Sequence, residues 1–97
     1  MIPYAFHPEA EAELVDAALF YESRVEGLGR SFAAEVQRTV ALIREYPDAG
    51  APVDLLVRRV LVARFPYAVV YRHDQQSVLI LAIAHLHRRP GYWRRRK

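Results

Sequence analysis

The sequence contains no cysteine, and its second half is almost without acidic residues. Without thiols there can be no disulfide and no thiolate metal site. The longest apolar run, Val78 to Ala84, is too short to span a bilayer. The N-terminus turns acidic within ten residues, unlike a secretory signal. We therefore expect a cytoplasmic protein with no membrane segment, folded as a single domain over residues 1–97.

Charge is unevenly distributed along the chain. Residues 1–54 hold four arginines and ten acidic residues, whereas residues 55–97 hold ten basic residues and one acid, Asp74. Six of the positive charges lie in the last ten residues. This polarity predicts a basic surface that faces phosphate or an acidic protein segment. For Arg94–Lys97, a solvated and disordered tail is an equally good interpretation.

Two amphipathic helices are predicted in the first half, where apolar residues recur every three or four positions. Pro8 suits the start of the first helix, expected over residues 8–25. Similar spacing over residues 28–43 indicates a second helix. It ends at Tyr46–Gly50, because the residue before a proline avoids the α region. The short glycine link Gly27–Gly29 favours an antiparallel helical hairpin.

Strands are predicted at Ile2–Phe6, Val57–Phe65, Tyr67–His73 and Ser77–His85, with a loop between the second helix and the second strand. The last strand is continuously apolar, which indicates a central strand buried on both faces. The order is β-α-α-β-β-β. We predict an α+β fold in which the N-terminal helical hairpin packs on one face of a small antiparallel sheet.

The end of the last predicted strand concentrates residues that could cleave RNA. Metal-independent cleavage needs a base, an acid and positive charge on the phosphate. His85, His87 and Arg89 are the candidate catalytic residues for that chemistry, since histidine titrates in a suitable range. The two histidines lack an obvious third metal ligand, so a metal site is not expected there. No other cofactor is expected either.

Each of these residues also fits a structural role. Simple strand alternation places His85 on the same face as Leu79, Leu81 and Ile83, which favours a histidine beside the core. The aromatic pair Tyr92–Trp93 could stack on a base, but it could equally cover the sheet. The residues alone leave these interpretations open.

Three segments in order resemble the RelE/ParE superfamily of toxins. The first is the helical block Glu11–Val36, in which Tyr21-Glu22, Gly27-Leu28-Gly29 and Phe32 carry the likeness. The second is Arg59 followed by Phe65–Tyr71, and the third is Ala84–Trp93. The resemblance covers nearly the whole chain. It implies the toxin of a type II toxin–antitoxin pair, related to plasmid stabilisation systems, that restrains growth until a cognate antitoxin neutralises it.

The superfamily implies two classes of target. ParE-like members inhibit DNA gyrase without cleaving nucleic acid, whereas RelE-like members cut mRNA in the ribosomal A site. This sequence departs from the nuclease pattern, because Ala68 stands where those members often carry arginine. The nuclease lysines are also missing, and Trp93 replaces their terminal tyrosine. The resemblance therefore points to the ParE-like branch, and an enzyme is not expected.

The expected contacts divide into two sets. Basic and aromatic side chains of the second half are expected to bind the target: Arg58, Arg59, Arg64, Arg88, Arg89, Tyr92 and Trp93. Residues of the first helix are expected to bind the antitoxin: Glu11, Leu14, Asp16, Tyr21 and Glu22. Two alternatives stay open, a ribosome-dependent endoribonuclease and a non-toxic module that binds only the antitoxin.

Overall fold

The computed structural model describes all 97 residues. The elements are β1 (Tyr4–Phe6), α1 (Pro8–Arg24), α2 (Leu28–Glu45), β2 (Ala51–Pro52), β3 (Val57–Leu61), β4 (Tyr67–His73) and β5 (Val78–His85). The strands form one five-stranded sheet in the order β1-β5-β4-β3-β2. Both helices pack on one face of this sheet, which confirms the predicted α+β architecture. Neither helix is long and apolar enough to cross a membrane.

The sheet is mixed, which corrects the predicted antiparallel sheet. β1 lies beside β5 in parallel, with Tyr4 opposite Val78, whereas the other neighbours are antiparallel. The helical hairpin carries the chain from one edge of the sheet to the other, and short turns then bring β5 back beside β1. The predicted loop also contains the short edge strand β2. β3 ends at Leu61, four residues earlier than predicted, and Arg64 in the following turn has a φ of 71°.

A β-bulge interrupts the pairing of β4 with β5. Val70 lies opposite Ala82, but its neighbour Tyr71 lies opposite Ile80. Leu81 is therefore left without a partner on β4. One extra residue in a strand shifts every later side chain to the opposite face.

The bulge changes the neighbours of His85. Ile83 packs under the helices, whereas Leu81 packs with the cluster on the opposite face, together with Leu79. His85 is two residues beyond Ile83 and shares the helix side of the sheet. The prediction that His85 shares a face with Leu79, Leu81 and Ile83 is therefore wrong for the two leucines. It assumed uniform alternation along β5, which the bulge interrupts.

β5 is buried on both faces and lies between β1 and β4, which confirms the prediction that it is a central strand. We call the side that carries α1 and α2 the helix face and the opposite side the far face. On the far face, Trp93 lies in a cluster with Val70, Leu81 and Ala82 and is only 4% exposed. It belongs to the C-terminal segment (residues 90–97). Arg96 in this segment has 10% of its side chain exposed, so a solvated tail is wrong at that position.

Candidate target-binding site

Arginines from two parts of the chain meet on the far face, in a depression that we call the arginine cleft. Arg59 comes from β3, and Arg88 and Arg89 come from the turn after β5. Trp93 and the small side chain of Ala68 also line the cleft, which encloses about 100 Å³. The chain can close over the sheet here because it turns sharply after Arg89.

That turn depends on Gly91, which has a φ of +77°. L side chains rarely adopt this conformation. A Cβ at position 91 would also overlap the guanidinium of Arg94, which lies 5.4 Å from the centre of the Trp93 ring. Glycine therefore allows the C-terminal segment to fold back with Trp93 against the sheet.

The arginines of the cleft differ in their partners. Arg88 lies 3.9 Å above the centre of the Tyr92 ring and 4.0 Å from a carboxylate oxygen of Glu13. Arg59 and Arg89 are exposed, and neither lies within salt-bridge distance of a carboxylate. Exposed cations without acidic neighbours give the cleft a positive potential that can attract an acidic partner.

Two of the arginines predicted to bind the target lie elsewhere. Arg58 points towards the loop before β2, where it donates a hydrogen bond to the Gly50 carbonyl at 2.8 Å. Arg64 lies 3.9 Å from Glu35 on α2. Of the predicted target-binding residues, the structure thus groups Arg59 with the arginines and aromatic residues after β5 and separates the other two from them.

The two candidate catalytic histidines lie close together, although the strand ends at His85. Their rings are 5.2 Å apart, and the His85 ring meets Tyr67 edge-on at 5.1 Å. The backbone N–H of His87 donates to Nδ1 of His85 at 3.0 Å. An imidazole that accepts at Nδ1 carries its proton on Nε2 and presents a donor there. This arrangement does not suit His85 as a general base.

Glu13 on α1 was missed by the sequence reasoning, yet it contacts the C-terminal segment directly. Its carboxylate accepts hydrogen bonds from the Tyr92 hydroxyl at 2.8 Å and from the Arg96 guanidinium at 2.8 and 3.0 Å. Burial, reinforced by Glu13, raises the pKa of Tyr92, and the hydrogen bond to Glu13 raises the pKa of Arg96. One signal was available in the sequence: Glu13 borders the apolar stripe of Ala10 and Ala17, where a carboxylate needs a partner.

The residues assigned to antitoxin binding fall into three environments. Glu11 and Asp16 are exposed on α1, whereas Leu14 and Tyr21 are half-buried against the core. Glu22 is exposed but accepts two backbone N–H groups of the turn between the helices. Only the first two present free polar side chains to a partner.

Glu22 holds the turn between the helices. Its carboxylate accepts the backbone N–H groups of Gly27 at 2.9 Å and Gly29 at 3.0 Å, and these bonds lower its pKa. A Cβ at Gly29 would overlap the backbone oxygen of Ala18, so only glycine lets the helices approach here. The Tyr21-Glu22 and Gly27–Gly29 motif is thus explained by the helical hairpin.

Comparison with known proteins gives the class of protein. Residues 4–90 match the family of ParE toxins of type II toxin–antitoxin systems, parDE, so the chain belongs to this family. No match was found among the curated proteins. A solved structure described as the chromosomal ParDE TA system from P. aeruginosa is similar, with a TM-score of 0.71 and 20% sequence identity. The match covers 88% of this chain and 96% of that one, and it supports the same fold.

Proposed function

We propose that this member of the ParE family is a toxin that acts in the cytoplasm by binding DNA gyrase through the arginine cleft. The observation that carries the proposal is the convergence of Arg59, Arg88 and Arg89 around Trp93, because two of these cations have no acidic partner in the chain. Such a surface can engage a complementary acidic surface on a protein target. Inhibition then results from binding and requires no catalytic step by the toxin.

Two features near the end of β5 favour binding over RNA cleavage. Ala68, where RelE-like nucleases often carry arginine, is only 1% exposed and places no charge in the cleft. His85 accepts a backbone hydrogen bond at Nδ1, so its neutral ring is a donor at Nε2. A phosphorane-like transition state would therefore lack both an arginine at position 68 and a base at His85.

A supercoiling assay with purified gyrase tests the proposal. The wild-type chain should block supercoiling, and the double variant Arg59→Ala/Arg89→Ala should require at least about tenfold more protein, since two charged contacts are lost. Arg30→Ala is the matched control, because it removes an exposed arginine from α2 on the helix side. Unchanged supercoiling at a large excess of wild-type protein would reject gyrase as the target.

A ribosome-dependent endoribonuclease is the second candidate, favoured by the 5.2 Å separation of the His85 and His87 rings beside Arg88. Toxin added to translating ribosomes would then cut mRNA in the A site, and His87→Ala would abolish the cutting. Growth unaffected by induced expression would instead favour a non-toxic module that only binds the antitoxin.

A cognate antitoxin is part of the proposal, in keeping with the family. On the outer side of α1, the exposed apolar residues Val15 and Leu19 lie near Glu11 and Asp16. A partner segment with apolar and basic residues would fit this side, and an acidic segment would fit the arginine cleft. We expect a partly disordered antitoxin segment that folds as it wraps both surfaces.

Co-expression with the neighbouring open reading frame tests the antitoxin proposal. The two products should co-purify, and Leu19→Asp should weaken the complex by placing a carboxylate in an apolar contact. Gln37→Asp is the control, since it adds the same charge at an exposed position of α2. A complex equally stable with both variants would exclude α1 as the contact surface, and failure to co-purify would count against this partner.

A further inference from the structure

The C-terminal segment contacts the rest of the chain at two places, the far face of the sheet and helix α1. Trp93 packs on the far face of the sheet, while Tyr92 and Arg96 reach around its edge to Glu13 on α1. The side chains of Glu13 and Arg96 are only 17% and 10% exposed. The contact is therefore largely shielded from water, which strengthens a charge-assisted pair compared with one on the surface.

The carboxylate of Glu13 uses both of its oxygens. Oε1 accepts from Nη1 of Arg96 at 2.8 Å and from the backbone N–H of Ile83 at 3.1 Å. Oε2 accepts from Nη2 of Arg96 at 3.0 Å and from the Tyr92 hydroxyl at 2.8 Å. This paired geometry joins α1, β5 and the C-terminal segment at a single side chain.

The ion pair also occupies the open edge of β5. Past β1, the carbonyl of Leu81 accepts from Nη1 of Arg96 at 2.9 Å, and the N–H of Ile83 donates to Glu13. In a parallel sheet, one residue of the neighbouring strand would donate its N–H to a carbonyl such as that of Leu81. The same residue would accept, at its own carbonyl, the N–H two positions later, here that of Ile83. Because Pro8 starts α1 immediately after β1, no strand is present there, and the two side chains supply the missing donor and acceptor.

We propose that Glu13 is a positioning residue: it fastens the C-terminal segment to the edge of β5 and thereby holds the arginine cleft in shape. Arg88 lies between the two sites, 4.0 Å from Glu13 and against the ring of Tyr92. Loss of Glu13 therefore breaks the hydrogen bonds to Tyr92 and Arg96 together and removes support from one wall of the cleft. The segment is then held by the packing of Trp93, by the hydrogen bond from Arg96 to the Leu81 carbonyl, and by the longer ion pairs of Arg96 with Glu9 at 3.7 Å and of Arg94 with Asp54 at 3.8 Å.

The test measures the mobility of the segment in the purified full chain. The variant is Glu13→Ala, and Glu11→Ala is the matched control, since it removes the same charge from an exposed position on α1. Hydrogen exchange in residues 90–97 and at Ile83 should accelerate roughly tenfold or more, as expected for the loss of charge-assisted hydrogen bonds. Trp93 is the only tryptophan, and its fluorescence should become more accessible to acrylamide. Exchange and quenching equal to those of the Glu11→Ala control would overturn the proposal.

Removing the partner gives an independent test in case Glu13→Ala fails to fold. Arg96→Ala keeps Glu13 but breaks the pair, so it should reproduce the faster exchange, and Arg96→Lys should restore part of the protection by retaining one charged donor. In the double variant Glu13→Ala/Arg96→Ala, the loss of protection from hydrogen exchange should be much smaller than the sum of the losses in the two single variants. Fully additive effects, or no effect of Arg96→Ala, would contradict the assignment. These readouts use the chain alone, so they are independent of the proposed gyrase target.

Discussion

Tyr71 provides a direct test of how the loop before β2 is held. Its side chain is fully buried, and its hydroxyl donates to the Pro47 carbonyl at 2.6 Å while accepting the Gly50 N–H at 3.0 Å. The variant Tyr71→Phe keeps the ring in the core but removes both bonds. Burial raises the pKa of Tyr71, so the hydroxyl stays protonated and the wild-type bonds persist over the usual pH range.

The expected cost follows from the two backbone groups that lose their partner. Leaving a buried donor or acceptor unsatisfied costs about 1–3 kcal/mol. The loop can admit water to part of this site, so we expect a loss of about 2 kcal/mol in the free energy of unfolding. For a chain of this length, that corresponds to a fall in Tm of roughly 10 °C.

Tyr67→Phe is the matched control on the same strand, because its half-buried ring lies in the aromatic cluster but its hydroxyl makes no hydrogen bond. Urea unfolding followed by circular dichroism should show a lower midpoint for Tyr71→Phe with an unchanged m value. The control should stay within about 0.5 kcal/mol of the wild type. Equal stabilities of the two variants would refute the role given to the Tyr71 hydroxyl.

Three further outcomes are expected from the local geometry. Gly29→Ala should lower the free energy of unfolding by about 1–3 kcal/mol in urea titrations, because its Cβ would force α1 and α2 apart; an unchanged midpoint would contradict the close helix contact. Because the folded-state pKa of Glu22 lies below its usual value of 4.5, its contribution should be present above pH 4.5 and disappear as pH falls through the depressed pKa. Melting curves of wild type and Glu22→Gln should therefore differ at pH 7 and converge in acid, and a constant difference would exclude this titration. Gly91→Ala should increase acrylamide quenching of Trp93, because φ +77° is strained for alanine, and unchanged quenching would show that the turn tolerates a side chain.

The helices and most strands were accessible to sequence reasoning because their signals are local. Pro8 and the three-to-four spacing determine α1, and the β-branched and aromatic run predicts β4 with its observed bounds, Tyr67–His73. The family was also recognisable, since its motifs are contiguous in the sequence. Part of the arginine cleft was predictable too, because Arg88 and Arg89 are neighbours in the chain.

Other features depend on contacts between distant residues. The parallel pairing of β1 leaves no sign in its three residues, and the bulge at Leu81 follows from how β5 fits β4. The separation of Arg58 from Arg59 was in principle available, because adjacent residues of a strand point to opposite faces. To predict which of these two faces lies next to Arg88, one would have to know where the chain turns after β5.

The sequence by itself determined the helical hairpin, the central β5 strand and the concentration of positive charge near the C-terminus, because periodicity and composition act over short distances. Only the tertiary structure decided which arginines share a cleft and that Glu13 meets Arg96, 83 positions later in the chain. A half-buried carboxylate needs hydrogen-bond donors, but the sequence does not specify which distant donors reach it. The path of the folded chain determines which donors reach the carboxylate.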